Sequence, residues 1–108
     1  MINVKIKKIN NLISSVEVLG HANFSKNNQP DIVCASVSSI VQTAMLGLIN
    51  VAKINLNFVR KNGFISFNIP ENLSSSELIK SDVILNTMLE GLLDIQSGYK
   101  KFVKVEVI

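Results

Sequence analysis

The stretch that decides the fold is GHANFSKNNQPDIVCASVSSI, residues 20–40. It contains the only histidine of the chain, His21, and the only cysteine, Cys34, with a polar loop between them. The apolar run that follows predicts a buried helix from about Ile32 to Ala52. Asp31 stands where a helix N-cap belongs, which places Cys34 at the third helical position. The stretch therefore joins a loop to the start of the main core helix and places a thiol there.

The segments on either side predict strands. Residues 2–9 and 12–19 each alternate apolar and polar side chains, which is typical of a half-exposed hairpin. Two more alternating runs, residues 54–60 and 64–69, are separated by a turn containing Asn62-Gly63. Asn-Gly between alternating runs is a strong hairpin signal, so these runs predict strands three and four.

The last third of the chain predicts a second helix and a closing strand. Ser74 and Glu77 have the spacing of a capping box, so a helix should run from Ser74 to about Ser97. Gly98 is the predicted C-terminal cap, and residues 102–108 alternate as a strand. The order β-β-α-β-β-α-β predicts an α+β fold. We expect a two-layer sandwich with a mixed or antiparallel sheet and both helices on one face.

Composition limits the class of protein. A length of 108 residues and a hydrophobic fraction of 47% predict one domain, residues 1–108, with its own core. One cysteine cannot form an internal disulfide, which favours a reducing cytoplasm. Residues 1–10 lack the pattern of a signal peptide, and polar residues interrupt the apolar runs, so we expect no membrane segment. A net charge of +3 permits attraction to nucleic acid without requiring it.

Cys34 and His21 are the residue types of a thiol hydrolase. A helix N-terminus favours a thiolate, and an imidazole can take the thiol proton and later protonate a leaving amine. Ser38 and Asp31 share a helical face with Cys34, so both are candidates for supporting roles, and Asp31 could orient His21. Backbone N–H groups at the helix start are candidate oxyanion donors. One His and one Cys cannot build a zinc site, and we expect neither a metal nor a cofactor.

Each of these residues also has a simpler explanation. A lone cysteine in an apolar helix is usually a buried small side chain, and a lone histidine after a strand is usually a surface residue. Asp31 is more often a cap, and Ser38 a small packing residue. Phe24 could line a pocket, but a contact that anchors the loop is the expectation.

The combination of two motifs carries a resemblance. Gly20-His21-Ala22, a polar loop, and then Asp31-Ile32-Val33-Cys34-Ala35 with Val37-Ser38 resemble the ribosomal-processing cysteine protease family of bacteria. That family pairs a GHA strand end with a DIVCA helix start. The chain departs from it in having Asn28-Gln29-Pro30 where a glycine is usual.

The resemblance implies an endopeptidase that removes the N-terminal extension of a large-subunit ribosomal protein, the one that approaches the peptidyl-transferase centre. It implies Cys34 as the nucleophile and His21 as general base and acid. Asp31 and Ser38 match supporting positions. It further implies a homodimer, a ribosomal protein precursor as partner, and no direct need for nucleic acid. The residues expected near the substrate or in the moving loop are Gly20, Ala22 and Phe24.

Two other functions stay open from the residues. A non-enzymatic module bound to the ribosome or to rRNA predicts salt-dependent RNA binding and an unreactive Cys34. A small thiol-dependent acyl transferase predicts turnover of small thioesters. Alkylation of Cys34 near neutral pH separates an active thiol from a core thiol.

Overall fold

A computed structural model of the protein describes residues 1–27 and 29–108. The element order is the predicted β-β-α-β-β-α-β. The elements are β1 (Ile2–Ile9), β2 (Leu12–Leu19), α1 (Ile32–Leu46) continued by a π-helical turn (Gly47–Val51), β3 (Asn57–Lys61), β4 (Phe64–Asn68), α2 (Ser75–Gly98) and β5 (Val103–Val107).

The strands form one mixed sheet in the order β3-β4-β2-β1-β5. β1 pairs antiparallel with β2 and parallel with β5, and the other two pairs are antiparallel. Alternate strand residues such as Val4, Val16 and Phe67 are buried, and they belong to one core cluster with Val37 of α1 and Leu85 of α2. Both helices therefore cover the same face of the sheet, and the predicted two-layer α+β architecture is confirmed.

Tight turns and caps form where the sequence predicts them. Asn10 and Asn11 have φ of 52° and 65°, the left-handed values that Asn tolerates between β1 and β2. Ser74 and Glu77 form the predicted capping box at the start of α2. In the β3–β4 turn Gly63 has φ of +74° while Asn62 is not in the left-handed region, so the turn is not of type I′.

Strand three begins later than the alternating pattern predicts. Ile54 and Leu56 are buried, but β3 starts at Asn57. The N–H of Ile54 donates to the carbonyl of Leu48 at 2.9 Å, which ties this segment to the end of the helical layer. The alternation of apolar and polar residues in this segment therefore comes from packing of Ile54 and Leu56 in the core, and the segment does not pair with any strand that the structure describes.

The predicted cap at Gly98 is wrong. Gly98 is the last residue of α2, and the cap is Tyr99, whose N–H donates to the carbonyls of Ile95 and Gln96. Tyr99 has φ of −136°, so this helix end needs no left-handed residue.

One helical segment within residues 1–27 and 29–108, Ile32–Val51, is long and apolar enough by composition to cross a membrane, with a mean hydropathy of 1.9. Val33, Val37, Val41 and Leu48 of this segment are almost fully buried against the sheet and α2. Its composition is that of a core helix, which passes the same test of length and hydropathy.

Two phenylalanines test how the sheet is stabilised. Phe58 and Phe67 are partners across β3 and β4, yet Phe58 is 50% exposed and Phe67 only 1%. Phe67→Ala should lower the free energy of unfolding by about 3–5 kcal/mol, because it leaves a core cavity. Phe58→Ala should cost about 1 kcal/mol or less. Urea unfolding measures both changes, and equal costs would show that the core has been located incorrectly.

Candidate active site

A cleft of about 500 Å³ lies between α1 and the β3–β4 hairpin. One wall is a row on α1 formed by Cys34, Ser38 and Gln42, which are four residues apart and so lie on one face. The opposite wall is the hairpin segment 60–65, and His21 lies at the mouth after β2. The two residues with the chemistry of a thiol hydrolase therefore line the same cleft.

Cys34 lies in the first turn of α1 and is half-buried rather than sealed in the core. Its Sγ accepts a hydrogen bond from the backbone N–H of Ala22 at 3.1 Å. An N–H that faces sulfur stabilises negative charge there, as does the positive end of the helix. The sulfur therefore has a polar neighbour and lines the cleft, unlike that of a cysteine sealed in the core.

Asp31 caps α1, as the sequence predicts. Its Oδ1 accepts from the N–H groups of Val33 and Cys34, each at 3.0 Å. Its Oδ2 accepts from the N–H of Phe24 at 3.0 Å, so the same carboxylate also holds the loop. In the described part of the chain no hydrogen bond joins Asp31 to His21, so the suggested orienting contact is not formed.

The electrostatics of Asp31 follow from these bonds. Burial by itself raises the pKa of the carboxyl, but the N–H groups of Cys34, Phe24 and Val33 stabilise the ionised form. The net effect holds the pKa of Asp31 below its ordinary value of 3.8. The cap is therefore fully charged at neutral pH.

Three N–H groups at the start of α1, those of Val33, Cys34 and Ala35, already have hydrogen-bond partners, which bears on the expected oxyanion donors. Those of Val33 and Cys34 donate to the Asp31 side chain, and that of Ala35 donates to the Asp31 carbonyl at 3.0 Å. Donors engaged in this way are not available to a substrate oxygen unless the cap opens. The prediction that they serve as oxyanion donors does not fit this geometry.

His21 is exposed and rests against the tip of the β3–β4 hairpin. A Cβ on Gly63 would lie 2.7 Å from His21 Nε2 and 3.3 Å from Cε1, so any other residue there would force the ring to move. The N–H of Gly20 donates to the Gly63 carbonyl at 2.8 Å, which fixes the hairpin tip to the end of β2. Among the residues that the structure describes, no hydrogen bond joins His21 to Cys34.

Phe24 anchors the loop, as expected. Its ring packs edge-on against Tyr99 and Phe102, with centroids 5.5 Å and 5.2 Å apart. These aromatic rings stand between α2 and β5, so the loop is joined to the C-terminal part of the fold. Of the departure at Asn28-Gln29-Pro30, Asn28 lies outside the described residues.

Sequence reasoning missed three parts of the cleft. Gln42 follows Ser38 by one helical turn, so the helical period alone would have placed it in the row. Arg60 and Gly63 reach the cleft because β4 pairs with β2, and no local pattern in the sequence contains that information. No Asp or Glu is among the cleft-lining residues within 1–27 and 29–108, so no carboxylate of the lining offsets the charges of Arg60 and Lys61.

Replacing Gly63 tests whether the hairpin supports the histidine. Gly63→Ala should displace the His21 ring and lower the free energy of unfolding by about 1–2 kcal/mol, because alanine disfavours a left-handed φ. His21 is the only histidine, so its imidazole proton NMR signals report the displacement directly. The matched control is Gly98→Ala, where an added Cβ meets nothing within 4 Å. Unmoved His21 signals in Gly63→Ala would contradict the contact.

The Asp31 cap gives a pH-dependent prediction. Asp31→Ala should cost about 1 kcal/mol of stability at pH 7, while Asp31→Asn, which can still cap, should cost less. Because folding lowers the pKa of Asp31, the stability due to its charge is complete above pH 3.8 and is lost as pH falls through the lower folded value. The difference in free energy of unfolding between wild type and Asp31→Asn should therefore become smaller in acid. Urea unfolding between pH 7 and pH 2 measures this difference, and a difference that does not change with pH would contradict the role of the Asp31 charge.

Comparison with known proteins agrees with this architecture. The family model of the cysteine protease Prp matches residues 1–104. The ribosomal processing cysteine protease Prp of Bacillus subtilis (strain 168) is 33% identical over 95 residues, which cover 86% of this chain and 84% of that protein.

Two crystal structures of an essential ribosomal processing protease Prp from S. aureus share the fold over the full length of both chains. The complex with a covalently linked product peptide has a TM-score of 0.87 at 22% identity. The complex with a substrate peptide has a TM-score of 0.82 at 19% identity. Because the family model spans nearly the whole chain and a curated relative is one-third identical, this chain belongs to the Prp family of cysteine proteases.

Proposed function

We propose that the protein is a cysteine endopeptidase that removes the N-terminal extension of a large-subunit ribosomal protein. The observation that carries the proposal is the position of Cys34 Sγ, which lines the cleft, receives the Ala22 N–H and shares the cleft with His21. The B. subtilis relative is named for ribosomal processing, which supports this class of substrate. Residues 1–108 would act as one catalytic domain, since both helices and four strands contribute to one core cluster.

The chemistry assigned to the two residues is acyl transfer to sulfur. His21 takes the proton of Cys34, and the thiolate attacks the carbonyl carbon of the scissile peptide bond. The imidazolium then gives its proton to the leaving amine as the C–N bond breaks, which leaves a thioester. Water, deprotonated by His21, attacks the thioester carbon. The C–S bond then breaks, the acid leaves, and the proton on His21 returns to the Cys34 sulfur. Contacts of this kind often tighten only when substrate is bound, so the missing His21–Cys34 hydrogen bond fits a resting site.

The positions of the residues around the cleft indicate their supporting roles. Ser38 lies one turn below Cys34, where its hydroxyl can contact the substrate backbone. Asp31 acts through the cap and the loop rather than on His21. Gly20 and Ala22 shape the backbone beside the sulfur, and Phe24 anchors the loop that they begin.

We also propose that the chain works in the cytoplasm as a homodimer, as the family resemblance implies. The second copy would cover the apolar groove of about 570 Å³ between α1 and α2. Val51 and Val83 border this groove and are 78% and 62% exposed, which leaves apolar surface in water. The groove is separate from the cleft, so pairing there would leave the site accessible.

Substitution of the two reacting residues tests the activity. Cys34→Ala should abolish cleavage of the extended ribosomal protein, and His21→Ala should lower kcat by about 10²–10⁴-fold. Ser38→Ala should reduce kcat/KM, whereas Ser36→Ala, which alters an exposed hydroxyl bonded to the Ile32 carbonyl, should not. Mass spectrometry of the substrate measures cleavage. Full cleavage by Cys34→Ala would refute the proposal.

Alkylation tests the thiol without any substrate. Iodoacetamide should modify Cys34 at neutral pH, because the sulfur lines the cleft beside an N–H donor. His21→Ala should slow the reaction. A thiol that resists the reagent, together with salt-dependent rRNA binding, would favour the non-enzymatic ribosome-associated module instead.

Light scattering after gel filtration tests the dimer. Val51→Glu combined with Val83→Glu should give a monomer, because two carboxylates would be buried at the interface. Ile108→Glu, a change of the same kind at an exposed site away from the groove, should leave the mass unchanged. A wild-type protein with the mass of a monomer would contradict the proposal.

A further inference from the structure

We propose that the backbone N–H of Ala22 is the oxyanion donor of this site. The inference rests on the proposed function, in which Cys34 is the nucleophile. The Ala22 N–H takes the role that the sequence predicts for the helix-start N–H groups, because those of Val33, Cys34 and Ala35 already donate to Asp31. Ala22 would thus contribute through its peptide group and not through its side chain.

The resting contact places this donor beside the charge. The Ala22 N–H donates to Cys34 Sγ at 3.1 Å. In the tetrahedral intermediate the sulfur is bonded to the substrate carbon, and the negative charge lies on the oxygen of that same carbon. That oxygen is two bonds from the sulfur, so a donor that faces the sulfur is within reach of it. The Ala22 N–H can therefore donate first to the sulfur and then, in the intermediate, to the charged oxygen.

The competing donors have partners that they keep during the reaction. The N–H groups of Val33 and Cys34 are held by a charged Asp31 carboxylate, and substrate attack does not alter that charge. The partner of the Ala22 N–H is the sulfur, which loses its charge when it bonds to carbon. Of the contacts made by the Val33, Cys34 and Ala22 N–H groups, the Ala22 contact is the one that the reaction itself weakens, at the moment when the oxyanion forms.

The Ala22 peptide group is held on both sides. The Ala22 methyl is buried, with 3% of the residue exposed. Before it, the Gly20 N–H donates to the Gly63 carbonyl, and after it, the Phe24 N–H donates to Asp31. A donor that is already in place pays no cost of reorganisation in the transition state, which is what makes oxyanion stabilisation effective.

The electron and proton balance is complete without another reactant. A sulfur electron pair forms the S–C bond, and the carbonyl π pair moves to oxygen, where the Ala22 N–H donates a hydrogen bond. The pair returns as the C–N bond breaks, and the proton held by His21 goes to the amine. The same N–H then serves when water attacks the thioester, and it keeps its proton throughout.

The single cysteine makes a backbone test possible. A peptide thioester of residues 1–33 can be ligated to residues 34–108, which begin with Cys34, to restore the full chain. Lactic acid in place of Ala22 keeps the methyl group and removes only the N–H. The same ligation with Ala22 is the control, and Ala22→Gly keeps the N–H but removes the buried methyl. Circular dichroism verifies the fold of each product.

Deacylation separates oxyanion stabilisation from thiolate stabilisation, since the sulfur is already acylated in that step. Lactic acid at position 22 replaces the peptide bond before Ala22 with an ester. With p-nitrophenyl acetate as the probe, this ester variant should deacylate about 10²–10³-fold more slowly than the control. Ala22→Gly measures the effect of losing the buried methyl alone, and the variant that lacks the N–H should deacylate far more slowly than Ala22→Gly. Unchanged deacylation with slower iodoacetamide alkylation would overturn the inference, because the N–H would then serve only the thiolate. Equal slowing in Ala22→Gly would overturn it as well. If the ligated control neither forms an acyl-enzyme nor cleaves the extended ribosomal protein, the proposed function itself fails, and this inference fails with it.

Discussion

The carboxylate of Asp31 is the constraint on which the site depends. Its two oxygens accept three backbone N–H groups, two from the first turn of α1 and one from Phe24 in the preceding loop. The helix start and the loop are thereby held to one another. Because Ala22 lies two residues before Phe24, this attachment brings the Ala22 N–H to the sulfur of Cys34.

The rest of the fold supports that attachment from two sides. Phe24 packs against aromatic rings near the start of β5, which joins the loop to the C-terminal strand. Gly63 holds the other side, since its carbonyl accepts from Gly20 and its missing Cβ leaves space for His21. The positive φ of Gly63 favours glycine, and the missing Cβ also lets the His21 ring rest against the turn.

Helix α1 combines two roles along one length of chain. One face supplies Val33, Val37 and Val41 to the core and makes the helix apolar enough to resemble a membrane span in composition. The adjacent face carries Cys34 and Ser38 into the cleft. A deeply packed helix would hold the proposed nucleophile rigidly, because the interior is close-packed and the helix cannot shift without disturbing it.

Local physics explains what the sequence determined by itself. Periods of 2 and 3.6 residues identify the strands and helices, and Asp31, Ser74 and Asn10-Asn11 mark caps and a turn through contacts within a few residues. The adjacency of Asp31 and Cys34 also follows from helical geometry, because the two lie within one turn. Errors arose where a local pattern had a non-local cause, as at Ile54, whose alternation comes from packing beneath the helix.

Tertiary structure alone decided the rest of the site. The order β3-β4-β2-β1-β5 places the β3–β4 hairpin beside His21, although more than forty positions separate Gly63 from Gly20 in the chain. The pairing of the Ala22 N–H with sulfur, and the loss of the helix-start donors to Asp31, likewise depend on where the loop lies. Sequence patterns describe which neighbours a residue has within a turn or a strand. Contacts between elements arise from packing of the whole chain. For this reason the sequence could single out Cys34 and His21 as candidates, while the other cleft residues and the geometry depended on the tertiary structure.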